Sequence, residues 1–324
     1  MKLKLCVVAM LVSPLLYATE PEVIKHKGMC DASAAVSLTD DSFVVANDED
    51  NVLRVYAKNA ETASPTYDLT EFLKINTEKS PEADIEGATL IGKRIYWMSS
   101  HGRNKEGKSR PNRHRFFATD IENGVLKPVG KPYENLIQAL KDAPELKGYH
   151  LGKAAEQAPE SDGGFNIEGL SRTPEGDVLI GFRNPIPKGK ALIVPMKNPQ
   201  KVIEEGKTPH FGDVITLDLG GLGIRSIDYV ESKRSYFIVA GSFDNAGIFK
   251  LYQWSGDAKE QPKIIEGVNF GALRPEAMIV YSAEPNRLQF LSDDGDEPIN
   301  DKTCKELFST PEKQYFRSLW VNLP

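Results

Sequence analysis

Cysteine is nearly missing from this chain: there are three in 324 residues, Cys6, Cys30 and Cys304. No two form a C-x-x-C pair, and the five histidines (His26, His101, His114, His150, His210) show no H-E-x-x-H spacing. Zinc, which takes sulfur and imidazole ligands, therefore has no recognisable site. After the N-terminal segment no apolar run approaches the roughly 20 residues that a membrane-spanning helix needs. The Gly-x-Ser-x-Gly elbow and the phosphate-cradling Walker loop are absent. "DLGGLGIRS" places Gly221 and Gly223 after an apolar run, as a dinucleotide loop would. The next residues, "IDYVESKRSYFIVA", read as strand and turn where that loop requires a helix. Positive charge is also short: the formal net charge is −6, which excludes general nucleic-acid binding. A hydrophobic content of 40% with 27% charged residues excludes disorder.

What is present begins with Lys2 and Lys4, the apolar run "LCVVAMLVSPLL" and "LYA" ending at Ala18. This pattern predicts a signal peptide over 1–18, cleaved before Thr19, and a single exported domain over 19–324, periplasmic or secreted. A monomer is expected. Loss of the two lysines takes the net charge to −8. Cys6 leaves with the signal, so the mature chain keeps Cys30 and Cys304 as a disulfide or as two buried thiols.

The remainder repeats. "DASAA" from Asp31, "DIEGA" from Asp84, "NIEGL" from Asn166, "IRSID" from Ile224 and "RPEAM" from Arg274 are each followed, about ten residues on, by an apolar strand that ends in polar residues. These strands are "FVVANDED", "IYWMSSHG", "VLIGFRNP", "YFIVAGSFD" and "LQFLSDDGD". Further β-branched and aromatic runs such as "VLRVYA", "RFFATDI" and "SLWVNL" supply more strands per unit. A strand-only repeat of this length marks an all-β fold, a β-propeller. Five blades are counted, and the long interval between the second and third motifs leaves a sixth open. Leu136, Ile137 and Leu140 fall at helical spacing in that interval. It reads as a partly helical insertion, about 132–162, either capping the channel or packed on the outer wall. "EVIKHKG" at 22–28 supplies the outer strand that the last unit lacks, closing the ring.

In a propeller the start of each inner strand and the end of the second strand meet at one rim. That rim gathers Asp31, Ser33, Asp84, Glu86, Asn166, Glu168, Arg225, Ser226, Arg274 and Glu276, and around them Asp48, Glu49, Asp50, His101, Arg103, Arg183 and Asp293. Converging carboxylates are costly unless something positive neutralises them. Ca²⁺ suits an oxygen-only set, with Glu86, Glu168, Glu276, Asp31 and Asp84 as candidate ligands. Internal pairing with Arg225, Arg274 and Arg183 is the other remedy. The stretch "SSHGRNKEGKSRPNRHRFF", 99–117, sets six cations against one glutamate at the same rim. Arg103, Arg110, Arg113, Arg183 and Arg225 are candidates for holding an anion. The loop could instead pair with Asp48, Glu49 and Asp50. His101 is the candidate general acid or base.

"CDASA" with "VANDEDNVLRVY", "DIEGA" with "YWMSSHGRNKEGKSRPNRHR", "NIEGL" with "IGFRNP", and "LDLGGLGIRSIDY" resemble the exported bacterial family catalogued as domain of unknown function 3616. That resemblance implies a propeller-like domain and carries no settled activity. More distantly, the Glu-Gly dipeptide on inner strands is similar to esterase-like phytase and lactonase propellers, whose rim carboxylates bind a divalent cation. Only Glu86-Gly87 and Glu168-Gly169 match it. The function expected is binding of an anionic small molecule or cell-envelope component at the rim, with Ca²⁺ and hydrolysis of an ester or phosphoester. The alternative is a non-catalytic recognition scaffold for a protein or cell-envelope component.

Overall fold

The second strand of each repeat is dominated by apolar residues because both of its faces are covered. Val178–Asn184 and Ser235–Gly241 are buried at every residue, as expected for short strands sandwiched between neighbouring sheets. The computed structural model describes residues 23–75, 81–244 and 246–323; the expected signal peptide, 1–18, lies outside them. Five antiparallel four-stranded sheets form the blades of a β-propeller. Blade 1 runs outward from Ala32–Thr39 through Ser42–Asn47 and Val52–Ala57 to Thr66–Asp68. Blade 2 is built from Ile85–Ile91, Arg94–Ser99, Phe116–Glu122 and Val125–Tyr133. Blade 3 comprises Asn166–Arg172, Val178–Asn184, Ala191–Met196 and Ile215–Leu217. Blade 4 comprises Gly223–Val230, Ser235–Gly241, Phe249–Trp254 and Lys263–Ile264. Blade 5 takes Pro275–Val280, Arg287–Ser292 and Tyr315–Asn322 from the end of the chain and Val23–Lys27 from its start.

Each innermost strand packs on the next, and that of blade 5 packs on that of blade 1. The ring therefore closes at five, and the long interval adds no sixth blade. An apolar cluster fills every seam between neighbouring blades. The interval carries helices Leu136–Asp142 and Leu151–Ala154 with a 3₁₀ turn at Pro144–Tyr149. Leu136, Leu140, Leu146 and Leu151 are buried with Phe116 of blade 2 and Phe165 and Phe182 of blade 3. The insertion is thus a wedge in one seam, and only its end, Pro159 and Glu160, reaches the channel mouth. A further helix, Pro199–Glu205, joins the two outer strands of blade 3, buries Val202 and Ile203, and sends Glu204 to Arg94 of blade 2 at 2.6 Å. The repeat pattern of the sequence does not reveal it.

Two devices fasten the ring where its ends meet. Val23–Lys27 pairs antiparallel with Tyr315–Asn322, Val23 opposite Leu319 and Lys27 opposite Tyr315. Cys30, just ahead of the first inner strand, is disulfide-bonded to Cys304 in the loop between the second and third strands of blade 5, with Cα atoms 5.9 Å apart. His26, on the closing strand, is fully buried. Its ring stacks on Phe316 at 4.8 Å, and its nitrogens bond to the Ala60 carbonyl at 2.7 Å and the Ser318 hydroxyl at 3.0 Å.

Both fasteners make predictions. The disulfide closes a loop spanning 274 positions, so restricting the unfolded chain should contribute about 2–5 kcal/mol. Denaturant melts of the oxidised protein and of Cys304→Ser should differ by that amount, and equal midpoints would show the covalent closure to be energetically idle. Burial lowers the His26 pKa from 6.5 to about 4. A histidine held neutral in the fold stabilises it fully above its unfolded pKa, and that contribution is lost as pH falls from 6.5 towards 4. The loss should approach about 3 kcal/mol. His26→Asn should flatten the dependence of stability on pH across this window; an unchanged slope would acquit His26.

Candidate functional site

The register of each innermost strand slips near its start, at its second or third residue, leaving one residue unpaired with the second strand. The unpaired residues are Ser33, Glu86, Glu168, Arg225 and Glu276. A bulge re-aims the extra side chain, and here one polar residue per blade is gathered into the channel, none more than 8% exposed. The glycine that succeeds the glutamate in blades 2 and 3 has a steric reason. A Cβ on Gly87 would lie 2.8 Å from Leu170 Cβ, and one on Gly169 would lie 2.7 Å from Ile224 Cγ2, because adjacent inner strands approach too closely for a side chain. In the fourth unit the bulged residue is Arg225. Alignment of the repeats puts Ser226 there, one position too far, because spacing alone does not show which residue the ladder skips.

This ring divides into two halves. On the side of blades 3 to 5, Arg225 Nη1 bonds to Glu276 and lies 3.3 Å from Glu168 Oε2, while Arg183 Nη1 donates to Glu168 Oε1 at 3.0 Å. Asn166 Nδ2 adds a bond to Glu168 Oε1 at 2.8 Å. Glu168 and Glu276, grouped with Glu86 as metal ligands on sequence grounds, thus lie against guanidinium groups. Glu86 does not. Its Oε2 is buried without a hydrogen-bond partner, and its pKa is pushed well up by burial and then by Glu168, Asp84 and Glu276.

Beside Glu86, blades 1 and 2 collect more acid. Oxygens of Asp48, Asp84 and Glu86 lie within 4.8 Å of one another, and so do those of Asp31, Asp48 and Glu49. Burial, then Asp293 and Glu49, pushes Asp31 up to about 9. Burial, Asp31 and Glu86 raise Asp48, whose Oδ1 is also buried without a partner. Asp84 has a left-handed backbone, φ 55°, a region short polar residues tolerate best. Its carboxylate accepts from the Ser100 hydroxyl and from Arg113 Nη1 at 3.0 Å. The sequence places Asp48 and Glu49 on the rim without singling them out as ligands; nothing in "NDEDN" marks Asp48 as the carboxylate common to both groups.

The basic loop is mostly spoken for. Arg113 is paired with Glu82 at 2.9 Å and with Asp84, not with Asp48, Glu49 or Asp50; Asp50 takes Arg54. Arg103 donates to the carbonyls of Ala155 and Gly107, each at 3.0 Å, tying the loop to the insertion. Arg115, buried, donates to the Leu73 carbonyl at 2.8 Å, and Arg110 to that of its chain neighbour Ser109 at 3.3 Å. His101 is 1% exposed, donates through Nδ1 to the Ser99 carbonyl at 2.8 Å, and stacks on His114 with centroids 5.6 Å apart. Burial and the mutual repulsion of the two rings drop His101 to about 3, and burial beside Arg115 drops His114 to about 4. Both are neutral at ordinary pH.

A cavity of about 500 Å³ opens over this half of the ring. Asp48, Glu49, Asp84 and Glu86 line one part, and Ser100, Arg103, Arg113, Arg183, Glu160 and Lys305 are among the residues that line the rest. A slightly larger hollow of about 530 Å³ lies on the outer wall between the insertion and 208–213, and contains no ring residue.

The family model described as "Protein of unknown function (DUF3616)" matches residues 31–123 and 108–288, and the chain belongs to that family. No curated protein matches it. Among solved structures, Myxococcus xanthus glutaminyl cyclase is 9% identical, with a TM-score of 0.47 over 94% of this chain and 96% of the other. The PQQ-bound aldose sugar dehydrogenase of Streptomyces coelicolor is 11% identical, with a TM-score of 0.43 over 93% and 99%.

The paired half of the ring should depend on Arg225. Removing the guanidinium leaves two buried carboxylates without their shared cation, and breaking such a pair costs about 3–5 kcal/mol. Arg225→Met should lose that much in a denaturant melt, whereas Arg110→Ala should stay within about 0.5 kcal/mol. A loss for Arg225→Met no greater than for Arg110→Ala would remove Arg225 from its place as the ring's counter-charge.

Proposed function

We propose that this member of the DUF3616 family binds a divalent cation, Ca²⁺, at Asp48, Asp84 and Glu86 and there binds an anionic ester or phosphoester. The observation that carries the reading is the Glu86 carboxylate, buried without a hydrogen-bond partner beside two further carboxylates. A hard cation with oxygen ligands answers that arrangement, and no sulfur or imidazole donor is required of it. Across the same cavity stand Arg103, whose guanidinium bonds to carbonyls, and Arg183 and Lys305, which share their charge with Glu168 and Asp296. Asp84 is held by Ser100 and Arg113, so its carboxylate is oriented before a ligand arrives. Such a cation, when bound, polarises a ligand oxygen and activates water. The arginines bind the charge that the ligand brings.

His101 is a poor proton shuttle for this site. Its Nδ1 is committed to the Ser99 carbonyl, its ring is buried, and its pKa lies far below neutrality. The Cys30–Cys304 disulfide supports export to an oxidising compartment, periplasmic or extracellular. Among the described residues no helix is long and apolar enough to cross a membrane.

Calcium chloride should raise the melting temperature of the wild type relative to chelator, since a ligand that binds only the folded state stabilises it. Glu86→Gln should remove most of that gain while still folding, because the amide keeps the shape and sheds a buried charge. Turnover of p-nitrophenyl phosphate or acetate that requires calcium would support the hydrolase; calcium-dependent phosphate binding without turnover would make the site a recognition scaffold. Identical melts in calcium and in chelator would overturn the cation reading.

A further inference from the structure

We infer that Asn166 gives the cation of the acidic corner a further oxygen ligand, its side-chain carbonyl Oδ1, from blade 3. The inference rests on the proposed cation site and extends its shell beyond Asp48, Asp84 and Glu86 to a neutral amide on the next blade.

Orientation carries the first step. Asn166 is 5% exposed, and its Oδ1 is buried without a hydrogen-bond partner. Its Nδ2 donates to Glu168 Oε1 at 2.8 Å. Glu168 lies against Arg183 at 3.0 Å and Arg225 at 3.3 Å, and a carboxylate so placed accepts hydrogen bonds and has none to donate. Turning the amide over would press oxygen against oxygen, so Glu168 fixes which end of Asn166 is left over. That end is an acceptor, and a buried acceptor left unanswered is unfavourable.

Place carries the second. Asn166 lines the same cavity as Asp48, Asp84 and Glu86. Ser100 straps blades 2 and 3 together there: its N–H donates to the Asp84 carbonyl at 2.8 Å, and its carbonyl accepts from the Ile167 N–H at 3.0 Å. Glu168, which holds the amide, is also the acid that bears hardest on Glu86. Two residues ahead of the bulge, where blade 3 has Asn166, blades 1 and 2 have Asp31 and Asp84. An aspartate in blade 3 would set a second carboxylate against Glu168, whereas asparagine keeps the oxygen without the charge.

The chemistry fits the same ion. Ca²⁺ takes about six to eight oxygens, side-chain amide carbonyls among them. Asp48, Asp84 and Glu86 already bring three carboxylates within 4.8 Å of one another. A carbonyl adds a ligand without adding to their repulsion. The donors beside them are engaged, Ser100 with Asp84 and Arg113 with Glu82 and Asp84.

The test uses the mature, disulfide-intact chain stripped with chelator. In calorimetric titration with calcium chloride, Asn166→Ala should bind the ion more weakly than the wild type by roughly tenfold or more. Europium(III) replaces calcium in oxygen sites, and its luminescence lifetimes in H₂O and D₂O count the water molecules on the ion. Asn166→Ala should add about one water, a change that losing a merely structural bond to Glu168 would not produce. Crystals of the wild type grown with calcium should place Oδ1 about 2.3–2.6 Å from the ion, which decides the matter even where the variant fails to fold. An unchanged water count, whatever the affinity, or a crystal in which Oδ1 does not touch the ion, would overturn Asn166 as a ligand and leave the three-carboxylate site intact. A wild type that binds no ion would overturn both.

Discussion

A skipped pairing in each innermost strand is the constraint on which the site depends. Five bulges at the same position turn Ser33, Glu86, Glu168, Arg225 and Glu276 into one channel. An unbulged strand would alternate its side chains between the two faces of its blade, and the same residues would then lie in the apolar seams. Once the bulge is present, its occupant sets the electrostatics of the whole mouth. One arginine between two glutamates, with Arg183 as the second cation beside Glu168, makes a neutral run through blades 3, 4 and 5. A serine beside a glutamate, in blades 1 and 2, leaves a charge that the serine cannot answer. Ser33 bonds instead to backbone carbonyls, including that of Ile85 next to Glu86, holding the strands together while contributing no charge.

The blades were legible because their signal is repeated. Five polar motifs, each leading to an apolar strand, recur in a chain with no helix-length periodicity outside one interval, and a ring is the arrangement that gives every blade two covered faces. The closing strand was legible from a shortage, since the last unit had one strand too few. The register inside each unit was not. Ser226 and Arg225 are adjacent, both polar, and equally plausible as the third position until the ladder shows that Ile224 and Ser226 are paired and Arg225 is not. That one-residue difference hides the counter-charge of half the ring. The insertion was found through Leu136 and Leu140, but its place in the seam depends on Phe165 and Phe182, which lie beyond it in sequence and give no helical signal.

Of the two uses the sequence allows the basic loop, holding an anion or pairing with the acids of blade 1, the second is not the one the arginines make. The loop's density of arginine pointed to a nearby excess of acid. Those acids are Glu82 and Asp84, which immediately precede the inner strand of the loop's own blade, rather than the cluster of blade 1. A loop after the second strand folds back over the start of the first, so the nearest carboxylates belong to the same blade. Spacing along the chain, about thirty residues, conceals a contact that antiparallel pairing makes local. The loop is therefore partly a strut. Arg113 and Arg115 fix it to the protein through Glu82 and the Leu73 carbonyl, and His101 stacks on His114 behind it.

Strut and site are compatible, and the division of charge shows how. A channel lined by five carboxylates and no cation would repel itself apart, while one fully paired would be stable and have nothing to offer a ligand. This ring does each in part. Arg225 and Arg183 hold the far half in a hydrogen-bonded network that fixes three blades relative to one another. That rigidity is what allows Glu86 Oε2 and Asp48 Oδ1 to stay buried and unpartnered, since strained or uncompensated groups persist only where the surroundings over-determine them. Substituting a neutral residue at Glu86 should for this reason make the ligand-free fold more stable, the usual exchange between stability and function at a working site. The residue that most weakens the free protein is then the one that most identifies what it binds.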